Sequence, residues 1–276
     1  MANVHRKVFY LSDRTGLTVE TLGESLLTQF TGLTFEAITF GFINSMERTV
    51  RAVAQINETA DSEGTPPLVF STVVDDDMRE LVMNSKGYCI DLFGAFIKPL
   101  EDELGIRSEH GDAGSAHRIK DYARYQARMD ALNFAQTADD GLATNKYESA
   151  DLILVGVSRS GKTPTCLYMA MQYGMKAANY PLTPEDMEGF DLPKELKQFK
   201  DKTFGLTIDP MQLQRIRSER RPNSRYASFD TCEQEVRWAE GLFRRGKIPF
   251  LNSTAISVEE ISATILDKLG LMRHPL

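Results

Sequence analysis

A glycine-rich segment in the second half of the chain has the residue types of a phosphate-binding loop. It fits the pattern GxxxxGK[ST] at every fixed position and consists of Gly156, Val157, Ser158, Arg159, Ser160, Gly161, Lys162 and Thr163. In such a loop, small residues let backbone N–H groups turn toward phosphate oxygens, and the lysine adds a positive charge beneath them. The Thr163 hydroxyl is a ligand for Mg²⁺. This pattern predicts nucleotide-dependent phosphoryl transfer, with Lys162 under the phosphates.

The sequence around this loop supplies the elements that must position it. The apolar run at 151–155 is typical of a buried parallel strand. Pro164 follows the motif and suits the first turn of a helix, where its missing N–H costs little. The order strand, loop, helix favours a functional P-loop over a chance match.

A phosphoryl-transfer site also needs an acid that holds the metal or activates the nucleophile. Asp209 follows an apolar strand candidate, the usual place of a Walker-B-type acid, although an aspartate before Pro210 is equally typical of a turn. Asp139 and Asp140 form either an acid/base pair or a turn, and the turn is favoured.

Five arginines fall within eleven positions of the chain. They are Arg215, Arg217, Arg220, Arg221 and Arg225. Guanidinium groups bind phosphate with two parallel hydrogen bonds, so the cluster, and Arg217 in particular, is a candidate for screening the charge of a transferred phosphoryl group. The alternative is a solvated helix face on which Glu219 neighbours these arginines.

The first half carries a second polar segment, at 12–18, between a short strand and a helix. It predicts either a second anion site or a catalytic base, Asp13, and ordinary helix capping by Ser or Thr is the alternative. His110 and His117 match no helical zinc motif, and we interpret them as surface residues.

Hydrophobic periodicity predicts an α/β protein in which strands alternate with helices. We expect strands at 7–11, 35–43, 68–74, 88–93, 151–155, 176–180 and 203–208. We expect helices at 19–30, 49–58, 116–135, 211–220 and 257–269, one opening at 75–77 and one after the glycine-rich turn. The expected organisation is an N-terminal α/β domain at 1–146 and a C-terminal P-loop kinase-like domain with a mainly parallel sheet at 147–276.

Composition narrows the class of protein. The 276 residues are 42% hydrophobic and carry a net charge of −7, which argues against a nucleic-acid binder, because phosphate neutralisation needs a basic surface. Three widely spaced cysteines indicate no disulfide framework. No signal peptide and no run of about 18–20 apolar residues is present. We therefore expect a soluble, cytoplasmic protein without a membrane partner.

Long segments of the sequence resemble the regulatory proteins of pyruvate, phosphate dikinase and phosphoenolpyruvate synthase. The similar segments are 9–23, 156–165 with 167–170, and 205–210 with 216–217. Three further segments, 176–182, 219–228 and 249–254, are similar to the phosphoenolpyruvate synthase branch. The resemblance covers residues 8–269, with small departures at Arg14 and Ser160.

This resemblance implies a bifunctional serine/threonine protein kinase and phosphorylase. In one direction the enzyme uses ADP to phosphorylate and inactivate a threonine of the synthase. In the other it uses inorganic phosphate to remove the group and releases pyrophosphate. Mg²⁺ and a homodimer are further expectations. Applied to this chain, Arg215, Arg217 and Arg220 would screen the charge, and Asp209 or Asp13 would take the threonine proton.

Two other functions remain open from the sequence. One is an ATP-dependent small-molecule P-loop kinase. The other is a non-catalytic, nucleotide-gated switch protein. They differ from the first in the donor used and in whether any phosphoryl group is transferred.

Overall fold

The computed structural model describes residues 4–108, 122–139, 144–188 and 191–271. The chain forms two compact units, Met1–Arg118 and Ile119–Leu276. Asp140, His110 and His117, which we interpreted from the sequence, lie outside the described residues.

The first unit is built on a parallel four-stranded sheet in the order β2-β1-β3-β4. Its strands are β1 (Val4–Leu11), β2 (Leu33–Phe40), β3 (Leu68–Ser71) and β4 (Tyr88–Asp91), and its helices are α1 (Leu17–Leu27), α2 (Met46–Glu63), α3 (Asp76–Met83) and α4 (Leu92–Leu104). The strand order reverses between β1 and β3. The loop that follows β1 therefore lies at a topological switch point, where open α/β sheets commonly bind ligands.

The second unit repeats this arrangement with a parallel sheet in the order β6-β5-β7-β8. Its strands are β5 (Leu152–Gly156), β6 (Ala177–Pro181), β7 (Thr203–Thr207) and β8 (Phe250–Asn252). Its helices are α5 (Tyr122–Thr137), α6 (Lys162–Tyr173), α7 (Lys194–Lys197), α8 (Pro210–Arg220), α9 (Phe229–Gly246) and α10 (Val258–Lys268). The order reverses between β5 and β7, so the 156–163 loop follows the strand at the switch point.

Strand β5 is buried on both faces of its sheet, as its continuous apolar sequence predicts. Leu152 and Leu154 join a cluster with Met169 of α6. Ile153 and Val155 join a second cluster on the opposite face, with Phe243 of α9. The carboxyl end of β5, where the 156–163 loop begins, is thereby fixed from two sides.

The expected α/β class and the parallel sheets are confirmed. Three helices and a strand were not predicted, namely α4, α7, α9 and β8. The strand expected at 88–93 is too long, because the Asp91 side chain accepts a hydrogen bond from Gly94 N at 2.8 Å and begins α4. The second unit begins earlier than the expected boundary near Tyr147, because α5 packs on α6 and β6.

Among the described helices, none combines the length with the apolar character that crossing a bilayer requires.

Gly156, the last residue of β5, packs closely against the backbone of the neighbouring strand β7 and against Ser160 of the loop. A Cβ atom at this position would collide with the Leu206 carbonyl oxygen of β7 and with Ser160 Oγ. We expect Gly156→Ala to lower the free energy of unfolding of the second unit by about 1–3 kcal/mol, the usual cost of overpacking. Urea unfolding followed by the fluorescence of Trp238, the only tryptophan of the chain, would measure this.

The matched control is Gly241→Ala in α9. A Cβ there meets no atom closer than 3.7 Å, so alanine should be neutral or stabilising because of its higher helix propensity. Equal stability of the two variants would contradict the close approach of β7 to the loop.

Candidate functional site

The 156–163 loop joins β5 to α6 in a conformation that leaves several of its backbone donors without an acceptor among the described residues. Arg159 and Gly161 adopt left-handed backbone angles, with φ of 78° and 91°. No described residue accepts a hydrogen bond from the backbone N–H of Ser158, Arg159 or Gly161. Helix α6 also has no side-chain cap at its N-terminus. These N–H groups and the positive end of the helix dipole form a donor set suited to an anion.

Lys162 is buried at the start of α6, with 4% of its surface exposed. Its Nζ donates a hydrogen bond to the Val157 carbonyl oxygen at 2.8 Å, across the loop. A buried ammonium group is costly unless it is hydrogen-bonded or paired with an anion. This hydrogen bond holds the lysine side chain across the loop.

Three oxygen-bearing side chains meet beside the lysine. Thr163 Oγ1 donates to Asp139 Oδ1 at 3.0 Å, and Asn179 Nδ2 donates to the same carboxylate oxygen. Asn179 Nδ2 also lies 3.1 Å from Thr163 Oγ1. Asp139, for which a turn was favoured, therefore contacts the motif threonine directly.

These residues line an open cavity of about 490 Å³. Its cations are Lys162, Arg159 and Arg220, and its only carboxylate among the described residues is that of Asp139. Neither Arg159 nor Arg220 forms an ion pair with any described residue. The excess of positive charge favours a polyanionic ligand.

The oxygen donors of this cavity fit Mg²⁺. Asn179 Oδ1 is buried and has no hydrogen-bond partner in the described part of the chain, and Thr163 Oγ1 and the Asp139 carboxylate lie beside it. No group of three or more His, Cys, Asp or Glu side chains in the described residues could hold a metal. A single carboxylate completed by hydroxyl and phosphate oxygens is, however, the usual set for Mg²⁺ bound with a nucleotide.

Asp209 occupies a different position from the one expected of a metal-binding acid. Its Oδ1 accepts hydrogen bonds from Met211 N at 2.9 Å and Gln212 N at 3.2 Å and so caps α8. Asp209 does not line the cavity that contains Lys162. The structure brings Asp139 to Thr163, and it does not bring Asp209 there.

The arginine cluster divides into buried and exposed members. Arg217 is fully buried and pairs with Glu235 at 2.6 Å. Its Nη2 also donates to the Ser158 carbonyl oxygen at 3.1 Å, and its guanidinium stacks 4.2 Å from the centre of the Tyr226 ring. Arg217 therefore supports the loop and lines neither cavity beside it, a position that differs from the exposed, charge-screening one expected from the sequence.

The remaining arginines are exposed. Arg215 pairs with Glu219 at 3.7 Å on the surface of α8, as the solvated-face interpretation expected. Arg221 and Arg225 are also exposed and line neither cavity beside the loop. Only Arg220 of the predicted cluster reaches the cavity.

The polar segment after β1 lies at the switch point of the first unit. Ser12 Oγ accepts a hydrogen bond from Arg14 N at 3.2 Å, and α1 begins at Gly16 with no side-chain cap. Capping of α1 by Ser or Thr is therefore wrong. Burial raises the pKa of the Asp13 carboxyl, and this effect outweighs the opposite effect of Arg14. A raised pKa suits an acid or base that works near neutral pH.

Sequence reasoning missed three residues of the site. Asn179 gave a signal, because it is a polar residue in the otherwise apolar run of β6. Tyr226 and Glu235 gave none, since their partners lie far away along the chain. The Tyr226 hydroxyl and Ser158 Oγ form a hydrogen bond at 2.9 Å, which adds a second link behind the loop.

The buried ion pair generates a stability prediction. In Arg217→Met the Glu235 carboxylate loses its partner and the Ser158 carbonyl loses its donor, so we expect a loss of about 3–5 kcal/mol in the free energy of unfolding. Arg215→Met, on the exposed face of the same helix, should change it by less than about 0.5 kcal/mol. Urea unfolding monitored at Trp238 compares them, and similar values would contradict a buried role for Arg217.

Comparison with known proteins identifies the family of this chain. A sequence model of the kinase/pyrophosphorylase family matches residues 8–266. Proteins from Stutzerimonas stutzeri (strain A1501) and Pseudomonas aeruginosa (strain LESB58) are 54% identical over 269 residues, which is 98% of this chain and 98% of each relative. A protein from Ectopseudomonas mendocina (strain ymp) is 53% identical over the same share. All three carry the provisional name phosphoenolpyruvate synthase regulatory protein. The chain belongs to the kinase/pyrophosphorylase family.

Proposed function

We propose that this protein is a bifunctional regulator of phosphoenolpyruvate synthase. It phosphorylates a synthase threonine with ADP, which inactivates the synthase, and it removes that group with inorganic phosphate, which restores activity. The observation that carries the proposal is the 156–163 loop, whose unused N–H donors and buried Lys162 line a cavity with three cations and one acid. The family description, which joins a kinase with a pyrophosphorylase, supports both directions.

In the phosphorylating direction, the threonine Oγ attacks the β-phosphorus of ADP. A bond forms between Oγ and this phosphorus, the bond to the bridging oxygen breaks, and AMP leaves. The loop N–H groups and Lys162 hold the β-phosphate, while Arg159 and Arg220 offset charge on its peripheral oxygens. The threonine proton passes to a carboxylate base.

In the reverse direction, an oxygen of inorganic phosphate attacks the phosphorus of the phosphothreonine. The new bond gives pyrophosphate, and the threonine Oγ leaves and takes up a proton. The attacking phosphate occupies the position that the donor phosphate holds in the first reaction. One set of loop donors then serves both directions.

Mg²⁺ bound at this site would neutralise phosphate charge and fix the orientation of the transferred group. We propose that Thr163 and Asp139 hold it, with Asn179 beside them, in place of the Asp209 expected from sequence. Asp13 remains our proposed acid/base residue of the first unit.

The free cysteines, Cys89, Cys166 and Cys232, suit a reducing compartment, and the cytoplasm is the proposed location.

Removal of the loop lysine tests the P-loop assignment. We expect Lys162→Met to lower both phosphorylation and dephosphorylation by about a hundredfold or more, because a charge held against the phosphates is lost. The control Lys200→Met, at an exposed position of the same unit, should retain both rates. The measurement is transfer from ADP or ATP, each labelled at its terminal phosphate, to purified synthase with Mg²⁺.

The donor decides among the open functions. Label that enters a synthase threonine from ADP alone, and pyrophosphate release when phosphate is added, are the expected results. Transfer from ATP to a small molecule would replace the proposal with an ordinary kinase. Binding without transfer, together with unchanged regulation by Lys162→Met, would replace it with a non-catalytic switch.

The identity of the acid is tested by a pair of conservative substitutions. Asp139→Asn removes the charge beside Thr163, so we expect a loss of at least about tenfold in the transfer rate and a higher Mg²⁺ requirement. Asp209→Asn should be nearly silent, because asparagine caps a helix as well as aspartate does. If a Mg²⁺ titration shows a larger loss of transfer rate in Asp209→Asn than in Asp139→Asn, the metal would be assigned to Asp209 instead.

A further inference from the structure

We infer that the base and ribose of the nucleotide bind in a second cavity, on the opposite side of the 156–163 loop from Asp139. This cavity measures about 220 Å³. The inference rests on the proposed function, because it requires the phosphates of the same nucleotide to lie on the loop.

The two cavities share the wall formed by the loop and α8. Arg159, Gly161, Pro164 and Ile216 line both of them. From this common wall, the larger cavity extends to Asp139 and to Asn179 of β6, whereas the smaller one extends toward the ends of β7 and β8. One molecule that crosses the loop can therefore occupy both.

The two cavities differ in polarity, as do the two ends of a nucleotide, which has charged phosphates at one end and a flat base at the other. The larger cavity is lined by cations, as described above. The smaller one is mainly apolar and contains four isoleucines, Ile208, Ile216, Ile256 and Ile261. No acidic side chain of the described residues lines it. An apolar slot beside a phosphate-binding loop suits the flat faces of a nucleobase.

The hydroxyl and amide side chains of this cavity fall into two groups, those with hydrogen-bond partners among the described residues and those without. Thr165 belongs to the first, since its Oγ1 donates to the Gly161 carbonyl oxygen at 2.8 Å, and Ser160 to the second, since its buried Oγ has no hydrogen-bond partner among the described residues. Ser253 and Thr254 are engaged in structure, because Ser253 Oγ lies 3.0 Å from the Ser160 carbonyl oxygen and Thr254 Oγ1 accepts from Asp209 N at 2.7 Å. The Gln212 side-chain amide, in contrast, has no hydrogen-bond partner among the described residues. An amide that carries both donors and an acceptor can pair with the edge of a base.

Arg159 adds a further contact on the common wall. Its side chain is exposed, and its left-handed backbone places it at the turn of the loop between the two cavities. A guanidinium group in this place can stack on a base or pair with the phosphate nearest the ribose. The smaller cavity therefore offers apolar walls, one cation, and an amide and a hydroxyl that have no hydrogen-bond partner in the described part of the chain.

The experiment compares ligands with and without a nucleoside. Gln212→Trp fills the cavity with a large side chain and leaves the phosphate-binding groups in place. We expect ADP to bind this variant about tenfold or more weakly, while pyrophosphate, which lacks the base and ribose, binds as it does to the unsubstituted protein. Calorimetric titration measures both. The control is Met211→Trp on the same helix, since Met211 is 70% exposed and lines neither cavity.

The results separate this inference from the proposed function. Unchanged ADP binding by a folded Gln212→Trp variant would overturn the inference and leave the proposed function intact. Binding of neither ADP nor pyrophosphate by the unsubstituted protein would overturn both. If Gln212→Trp lowers the melting temperature, photo-crosslinking of the unsubstituted protein with 8-azido-ADP decides instead. Label in peptides that contain Gln212 or Ile256 is expected, and label confined to other segments would overturn the inference.

Discussion

The shape of the 156–163 loop depends on the buried guanidinium of Arg217. A charge with no exposed surface is tolerated only when protein groups replace its lost hydration. Arg217 finds them in Glu235 on α9 and in the carbonyl oxygens of Ser158 and Tyr226. The Arg217 Nε is already buried without a hydrogen-bond partner among the described residues. Because the loop supplies one of the acceptors of Nη2, moving Ser158 would leave the buried cation with a further unsatisfied donor. The free-energy cost of leaving this donor unsatisfied keeps the loop in its observed conformation.

The cations near the 156–163 loop differ in burial and therefore in what they can do. Arg217 is enclosed on all sides and provides rigidity, whereas Arg159 and Arg220 are exposed at the cavity and carry charge that a ligand can neutralise. Lys162 lies between these extremes, buried yet on the cavity wall. Preorganised donors stabilise developing charge without rearranging during a reaction. A rigid loop with exposed arginines at its rim suits the proposed binding of one phosphate beside a second reactant.

The sequence was sufficient where the chemistry is local and insufficient where it depends on residues distant along the chain. The 156–163 loop, its strand and its helix could be located, because one continuous segment contains all three. The contact between Asp139 and Thr163 could not, since Asp209 and Asp139 both follow plausible elements and only the packing of α5 against α6 brings Asp139 to Thr163. The burial of Arg217 could not be predicted from the sequence for a related reason. Spacing along α8 does not reveal that α9 supplies Glu235 and buries one member of the cluster.

A comparison of the two units distinguishes what topology contributes to a binding site from what charge contributes. Each has a parallel sheet whose order reverses beside its first strand, and in each a polar loop follows that strand at the switch point. The loop after β1 contains Asp13 and Arg14, and α1 begins at Gly16 without a side-chain cap. The loop after β5 adds a buried lysine and backbone donors without acceptors among the described residues, beside an open cavity where Arg159 and Arg220 form no ion pair with those residues. Similar topology thus places a loop at both sheet edges, but only the second combines geometry with the charge that phosphate binding demands.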